Sequence, residues 1–336
     1  IVFGDWSSDV CSSDLKSTIF LCVVLFNAFI VTNLSSIDFV LDKNINVAKK
    51  PIAIFYDEFK DLFHIFCYGN DVNYNGIINP EMNDEPPTWW TLKISENEYI
   101  VDKVFEFTNG YFPFPFRPAM KFSNEPGKSR AYIPFTNETD DSWNIVKKGR
   151  ICVYELDSYT MIDDTSSALN LSAMAISYFD DELYISVREE SGSSFIYVYD
   201  INQNQVIKQF NAGINVQQTL PFKTKEDEVY LSILNEGAFG QQNSDLQLIS
   251  ITDAIETKFF NLGDLGNHLN FNSKYLIATI NGSHKVLVFD VEQWELAYEI
   301  NTETTGFDGP REAHFFDDDY IFRSEEHTSE LQSPNT

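Results

Sequence analysis

Basic residues are scarce in this sequence. Twenty-three lysines and arginines stand against 51 aspartates and glutamates, a formal net charge of −28. No basic stripe interrupts that excess, so the electrostatic footprint of a nucleic-acid binder is missing. Such acidity favours solubility and disfavours anionic membranes. Cysteine is almost absent: Cys11, Cys22, Cys67 and Cys152 are the full complement. They form no CxxC, no CxxCH haem-attachment motif and no zinc spacing. There is no HExxH, GxSxG or GxxxxGK[ST] stretch, so the linear sequence carries no catalytic signature. Long apolar runs are missing too. The longest, Ile19 to Val31, falls short of the ~20 residues that span a bilayer.

The two ends of the chain differ from the rest. "RSEEHTSELQS" (Arg323–Ser333) back-translates to a DNA whose reverse complement encodes "DWSSDVCSSD" followed by the start of a Leu codon, which is Asp5–Leu15. The two strands match a widely used sequencing-library adapter. Segments 1–15 and 323–336 are therefore read as adapter-derived and set aside before fold reasoning. They are expected to pack against nothing specific, and the biological insert is expected to be truncated at both ends.

The insert opens on "KSTIFLCVVLFNAFIVTNLSS". A lysine, a short apolar core and then small polar residues have the layout of a signal peptide over 16–36. A buried first strand is the alternative. The leader predicts an exported chain, periplasmic or at the cell surface, cleaved between Asn33 and Ile37. Cys67 and Cys152, flanked by apolar residues, read as buried thiols more readily than as a pair.

What is present is a repeat. "AYIPFTNE", "LYISVREE", "VYLSILNEG" and "YLIATINGS" carry Tyr132, Tyr184, Tyr230 and Tyr275, and Tyr320 continues the series at intervals of 52, 46, 45 and 45 residues. After each comes a polar loop and a strand ending near an acid, as in "SFIYVYDIN" and "KVLVFDVEQ", then another strand. One more short apolar segment precedes each tyrosine. "PIAIFYDEFKDLFHIFCYGN", "TWWTLKIS" and "EYIVDKVFEF" form an earlier unit with an enlarged loop. Four strands every ~45 residues predict a β-propeller over 37–322, with five blades complete and a sixth begun. The terminal Asp of the third strand suits a tight turn.

The segments "PREAHFFDDDYIF", "VLVFDVEQWELAYEI" and "YLSILNEGAFGQQNSDLQLISI" resemble the seven-bladed YVTN/YncE-like propellers, including exported bacterial proteins of the DUF5074 type. The resemblance spans roughly Pro51 to Phe322. It implies seven blades in the intact protein and export, in a family where many members have no assigned activity.

Two places invite chemistry. In "DVNYNGIINPEM", Asp71, Asn73 and Asn75 before Gly76 match the first half of a calcium loop. The carboxylate of Glu81 comes one residue early and no helix flanks the loop, so a metal-free polar turn is expected, with a calcium site on Asp71, Asn73, Asn75 and Glu81 as the alternative, and no other cofactor is assigned. "TNGYFPFPFRPAMKF" joins two units. Its Tyr111, Phe112, Phe114 and Arg117, with Trp89 and Trp90 one strand earlier, are candidates to line one mouth of the ring. Arg311 in "GPREAH" falls at the position matching Arg117 to within one residue of the repeat, and His314 is read as lying just before an inner strand, within reach of the central channel. Aromatic platforms beside arginine suit sugars, peptides or carboxylates, while blade-to-blade packing is the competing role. His64, His268 and His284 look scattered. The functional expectation is a non-catalytic exported propeller, monomeric when complete, that binds a protein partner or small ligand at one mouth. The alternative is a propeller enzyme, lyase- or lactonase-like or a quinoprotein-like oxidoreductase, using channel-lining histidines and acids.

Overall fold

In this computed structural model the described residues are 18–21, 43–73, 75–95, 98–107, 112, 117–135, 137–140, 142, 144–164, 173–188, 193–238, 240–252, 255–302, 309–315 and 321–325. Apart from a single 3₁₀ turn at Pro80–Met82, every described element is a strand. β1 (Thr18–Leu21) pairs antiparallel with β2 (Lys43–Asn46). The first blade is β3 (Pro51–Asp57), β4 (Leu62–Cys67), β5 (Thr88–Ser95) and β6 (Glu98–Glu106). The second is β7 (Ala119–Lys121), β8 (Arg130–Phe135), β11 (Arg150–Glu155) and β12 (Thr160–Asp164), with a side hairpin of β9 (Glu138–Thr139) and β10 (Ile145–Lys147). The third is β13 (Ala173–Phe179), β14 (Glu182–Arg188), β15 (Ser194–Asp200) and β16 (Gln205–Asn211). The fourth is β17 (Val216–Lys223), β18 (Val229–Asn235), β19 (Ser244–Ser250) and β20 (Ile255–Gly263). The fifth is β21 (Gly266–Phe271), β22 (Tyr275–Ile280), β23 (Lys285–Asp290) and β24 (Glu295–Asn301). A sixth sheet has two strands, β25 (Pro310–Phe315) and β26 (Ile321–Glu325). Each sheet is an antiparallel meander in chain order, and together they make the five complete blades and begun sixth of a β-propeller.

The recurring tyrosines mark the second strands: Tyr132 lies on β8, Tyr184 on β14, Tyr230 on β18 and Tyr275 on β22. Tyr320 lies outside the described residues. The first strands of successive blades are neighbours, with β13 against β17, β17 against β21 and β21 against β25. They are thus the inner strands, and fourth strands such as β24, almost wholly exposed, form the rim. Apolar side chains fill the space between blades. Leu234, Leu246 and Phe222 of the fourth blade pack against Leu269, Ala278 and Leu287 of the fifth. The turn chemistry read from the sequence is realised: Asp200 Oδ1 accepts from the main-chain N–H of Asn202 and Gln203, and Asp290 Oδ1 from Glu292 and Gln293.

Cys67 and Cys152 are both buried but in different layers. Cys67 packs with Ile45, Val47, Ile65 and Leu92, and Cys152 with Phe66, Trp89 and Ile133. Burial, against weaker help from Thr88, pushes the Cys67 thiol up to about 12. The adapter-like segment 1–15 lies outside the described residues, and of segment 16–36 only Thr18–Leu21 is described. At the other end one expectation is corrected. β26 continues through Arg323, Ser324 and Glu325, whose backbones pair with Ala313, Glu312 and Pro310. A ladder is made of main-chain groups, so a non-proline segment following the hairpin can extend it whatever its origin.

Candidate functional site at the ring axis

An inner strand is bonded to its own blade along one edge only, and the other edge faces the axis. Its N–H and C=O groups still need partners. Side chains of the preceding inner strand supply them. Gln218 of β17 spans Leu269 of β21: its Oε1 accepts from Leu269 N at 2.7 Å and its Nε2 donates to Leu269 O at 3.2 Å. One blade on, His268 Nδ1 accepts from Ala313 N at 3.5 Å, and Asn270 Oδ1 from Phe315 N at 3.1 Å. Ser177 of β13 donates to Thr219 O of β17.

Five inner strands share a local irregularity. The register slips between Pro51 and Ala53, Ala173 and Ala175, Val216 and Gln218, Gly266 and His268, and Pro310 and Glu312. Such a bulge inserts one residue and re-aims the side chains beside it. At this place the first and third blades carry Ile52–Ala53 and Met174–Ala175, while three consecutive later blades carry a polar doublet: Gln217–Gln218, Asn267–His268 and Arg311–Glu312.

Arg117, two residues before β7, reaches into this cluster. It is 7% exposed. Its Nη1 donates to Gln218 Oε1 at 2.7 Å and its Nη2 to Asn267 O at 3.1 Å. Nη2 lies 3.9 Å from Glu312 Oε1. One guanidinium from the second blade thus meets residues of the fourth, fifth and sixth. With its amide turned to satisfy both groups, Asn267 accepts from Arg311 Nη1 at 3.2 Å and donates to Arg311 O at 3.1 Å. His314 Nε2 is 3.3 Å from Glu312 Oε2, and the His268 and His314 rings lie 4.7 Å apart. A ligand atom from each of His268, Glu312 and His314 falls within 4.8 Å of the others.

Burial lowers His268 well below the ordinary histidine value, and the Arg117 charge adds to the effect, so its ring is neutral at pH 7. Burial works against the Glu312 charge. The His314 hydrogen bond and the neighbouring His268 and Arg117 outweigh it and hold the carboxyl well below the usual range. Burial also depresses Arg117, but a guanidinium remains charged at neutral pH. The cluster therefore offers a carboxylate beside an imidazole for moving a proton, three candidate metal ligands, and several N–H donors for an oxyanion.

Of the candidate residues read from the sequence, Arg117, Arg311 and His314 are brought together here. Trp89 and Phe112 are placed elsewhere. Trp89 is fully buried in the layer between the first two blades, where its Nε1 donates to His64 Nδ1 at 3.2 Å. Phe112 is fully buried against Tyr68, its N–H bonded to Gly76 O. Trp90 is half-buried beside Ile65 and Leu92 and donates to Thr88 Oγ1. Tyr111 and Phe114 lie outside the described residues. Bulky aromatics in a propeller go first to the gaps between blades, where their area is best buried. The sequence reading missed Gln218, Asn267, His268 and Glu312. The signal was available: set in register on the repeat, "VQQTL", "GNHLN" and "PREAH" place QQ, NH and RE in one column.

In the calcium-like loop the oxygens turn to the main chain. Asp71 Oδ1 accepts from Asn75 N at 3.2 Å and Oδ2 from Gly76 N at 2.9 Å. Asn75 Oδ1 accepts from Ile77 N, and Asp84 from both Val72 N and Asn79 N. Asn73 and Glu81 are exposed. Calorimetric titration with calcium should show no tight site here. Asp71→Ala should instead lower stability by about 1–3 kcal/mol, through the two N–H groups it leaves unsatisfied. Tight binding abolished by Asp71→Ala would overturn this.

No protein-family model matches the sequence, and no curated protein matches it significantly. Solved structures do resemble the fold. Sqt1 of Saccharomyces cerevisiae matches 82% of this chain and 67% of its own, at 9% identity and a TM-score of 0.54. The hydrazine synthase of Kuenenia stuttgartiensis matches 79% and 78%, at 12% identity and 0.52. A chain of a nidogen/laminin complex matches 77% and 83%, at 11% identity and 0.50. At these identities the likeness is one of fold.

Proposed function

We propose that the chain is a non-catalytic, exported β-propeller that binds a partner or small ligand at the mouth of the ring where the inner strands begin. The observation that carries this is the convergence of Arg117, Gln218, Asn267, His268, Arg311, Glu312 and His314, drawn from four blades, around one point of the axis. Capping of the inner edges accounts for Gln218 and His268 but not for the gathering of Arg117, Arg311, Glu312 and His314 beside them, which a binding site would use. Export rests on the leader read at 16–36. No described helix is long and apolar enough to cross a membrane.

The test is a thermal-shift screen of the protein against small organic acids, sugars and short peptides. At least one compound class should raise the melting temperature of the wild type and fail to do so in His314→Ala, whose side chain is 53% exposed and whose loss leaves the core intact. A screen with no hit sensitive to His314→Ala counts against the reading. The second reading, an enzyme, is favoured by the grouping of two imidazoles and a carboxylate within 4.8 Å. A hit consumed by the wild type and spared by Glu312→Gln would favour it.

A further inference from the structure

Resting on that reading, we propose that the axial cluster takes a small carboxylate anion, with Arg117 and Arg311 as its charge partners and His268 and His314 as N–H donors. The first argument is the state of Arg117. Its Nε is buried with no hydrogen-bond partner. The carboxylate opposite Nη2, that of Glu312, stands at 3.9 Å, beyond hydrogen-bond reach. A buried guanidinium so loosely compensated is expensive to maintain, and an anion entering from the Glu312 side would complete its pairing. The way in is open, since Glu312 and His314 are 38% and 53% exposed.

The second argument decides between an anion and a metal ion. Asn270 Oδ1 is committed to Phe315 N, so the group it turns toward His314 Nδ1, at 3.4 Å, is its NH₂. His314 Nδ1 must then be the lone pair, and Nε2 carries the proton. His268 Nδ1 receives the Ala313 N–H, which puts its proton on Nε2 as well. A cation bound through either Nε2 would force a proton onto an Nδ1 that already faces an N–H donor. Ligating histidines are normally arranged the other way, with the second nitrogen donating to an oxygen. Charge points in the same direction, since the buried Arg117 guanidinium beside the cluster opposes a further cation and favours an anion.

Glu312 is on this view an internal anion that competes with the ligand. That gives the test a sign that a merely structural role does not share. Isothermal titration with citrate, at pH 7 and low ionic strength, should show binding to the wild type. Arg311→Gln should weaken it about tenfold, and Glu312→Gln should strengthen it about tenfold, the size of one ionic contact. His314→Gln, at an exposed position, should weaken it severalfold without changing the fold, and it serves as reporter if Arg311→Gln fails to fold. Zinc chloride titrated in the same way should give no heat that depends on Glu312. Zinc binding lost in Glu312→Gln would overturn the proposal in favour of a metal site. Citrate binding that is absent, or indifferent to Glu312 and His314, would overturn it, as would inorganic phosphate binding tighter than citrate. If citrate fails while the broader screen finds a ligand of another class sensitive to His314→Ala, the carboxylate assignment falls and the proposed function stands.

Discussion

Trp89→Ala should be among the most damaging single substitutions in the chain, lowering stability by about 3–5 kcal/mol. The indole is fully buried and packs on Phe66, Tyr154 and Tyr159, with ring centroids 4.6, 6.0 and 5.4 Å away. Removing it opens a cavity between the first two blades. It also takes the donor from His64 Nδ1, a fully buried imidazole whose Nε2 faces Asp57 Oδ2 at 4.0 Å. Trp89→Phe, which keeps most of the volume but not the N–H, should cost less than half as much. Urea unfolding measures both, and a Trp89→Ala loss below about 1 kcal/mol would refute this account of the layer. The same network sets a pH dependence. Burial, with a smaller push from Lys60, lowers His64 from 6.5 to about 4. The unfolded chain therefore binds a proton that the native state refuses. The stability owed to neutral His64 is complete above pH 6.5 and is lost as pH falls toward 4. Between pH 6.5 and 5, largely above the range of the carboxylates, this group alone should remove roughly 2 kcal/mol. His268, buried and lowered in the same direction, adds to the slope. His64→Gln should thus flatten the stability-pH slope in that window without abolishing it.

The blade plan was legible because propeller geometry is written locally. Each blade is a meander of neighbours in sequence, so the order of apolar segments is the order of strands. Tyr230 and Tyr275 recur because each holds the same place on a second strand, opposite the last residue of the third, and Tyr184 lies two residues further along its own second strand. Asp200 and Asp290 recur because each caps the same turn. Trp89 and Phe112 were harder to place. An aromatic residue near a predicted loop reads equally well as a binding platform and as interblade packing, and only burial separates the two.

The axial cluster was half legible for a different reason. Arg311 and His314 were noticed because they sit in one short stretch, which is the inner strand β25 itself. His268 looked isolated in the sequence. Yet it caps Ala313, 45 residues away, which is one repeat length. In a propeller, residues one repeat apart lie on adjacent inner strands, so that separation is itself a contact prediction. Arg117 escapes even this rule, since it bonds Gln218 and Asn267 at separations of 101 and 150 residues. Its partners follow from the ring as a whole and from no local pattern.

Gln218 is where the fold and the proposed site meet, and Gln218→Leu should lower stability by about 3–5 kcal/mol. The side chain is 8% exposed and does three things at once. It accepts from Arg117 Nη1 at 2.7 Å and from Leu269 N at 2.7 Å, and it donates to Leu269 O at 3.2 Å. Leucine fits the volume and provides none of these bonds. A buried main-chain N–H and C=O lose their partner, each at about 1–3 kcal/mol, and a buried guanidinium loses its shortest acceptor. Gln218→Glu separates the contributions. Its carboxylate still accepts from Leu269 N and pairs more strongly with Arg117, but it turns an acceptor toward Leu269 O. The expected loss is about 1–2 kcal/mol, well below that of leucine. Neither substitution creates a cavity, so a packing role predicts little effect from leucine and a larger one from the charged glutamate. Urea unfolding of the two variants distinguishes the accounts by their order. If Gln218→Leu unfolds within about 1 kcal/mol of the wild type, or Gln218→Glu proves the worse of the two, the inner edges are not held by these side chains, and Arg117 is not fixed through Gln218.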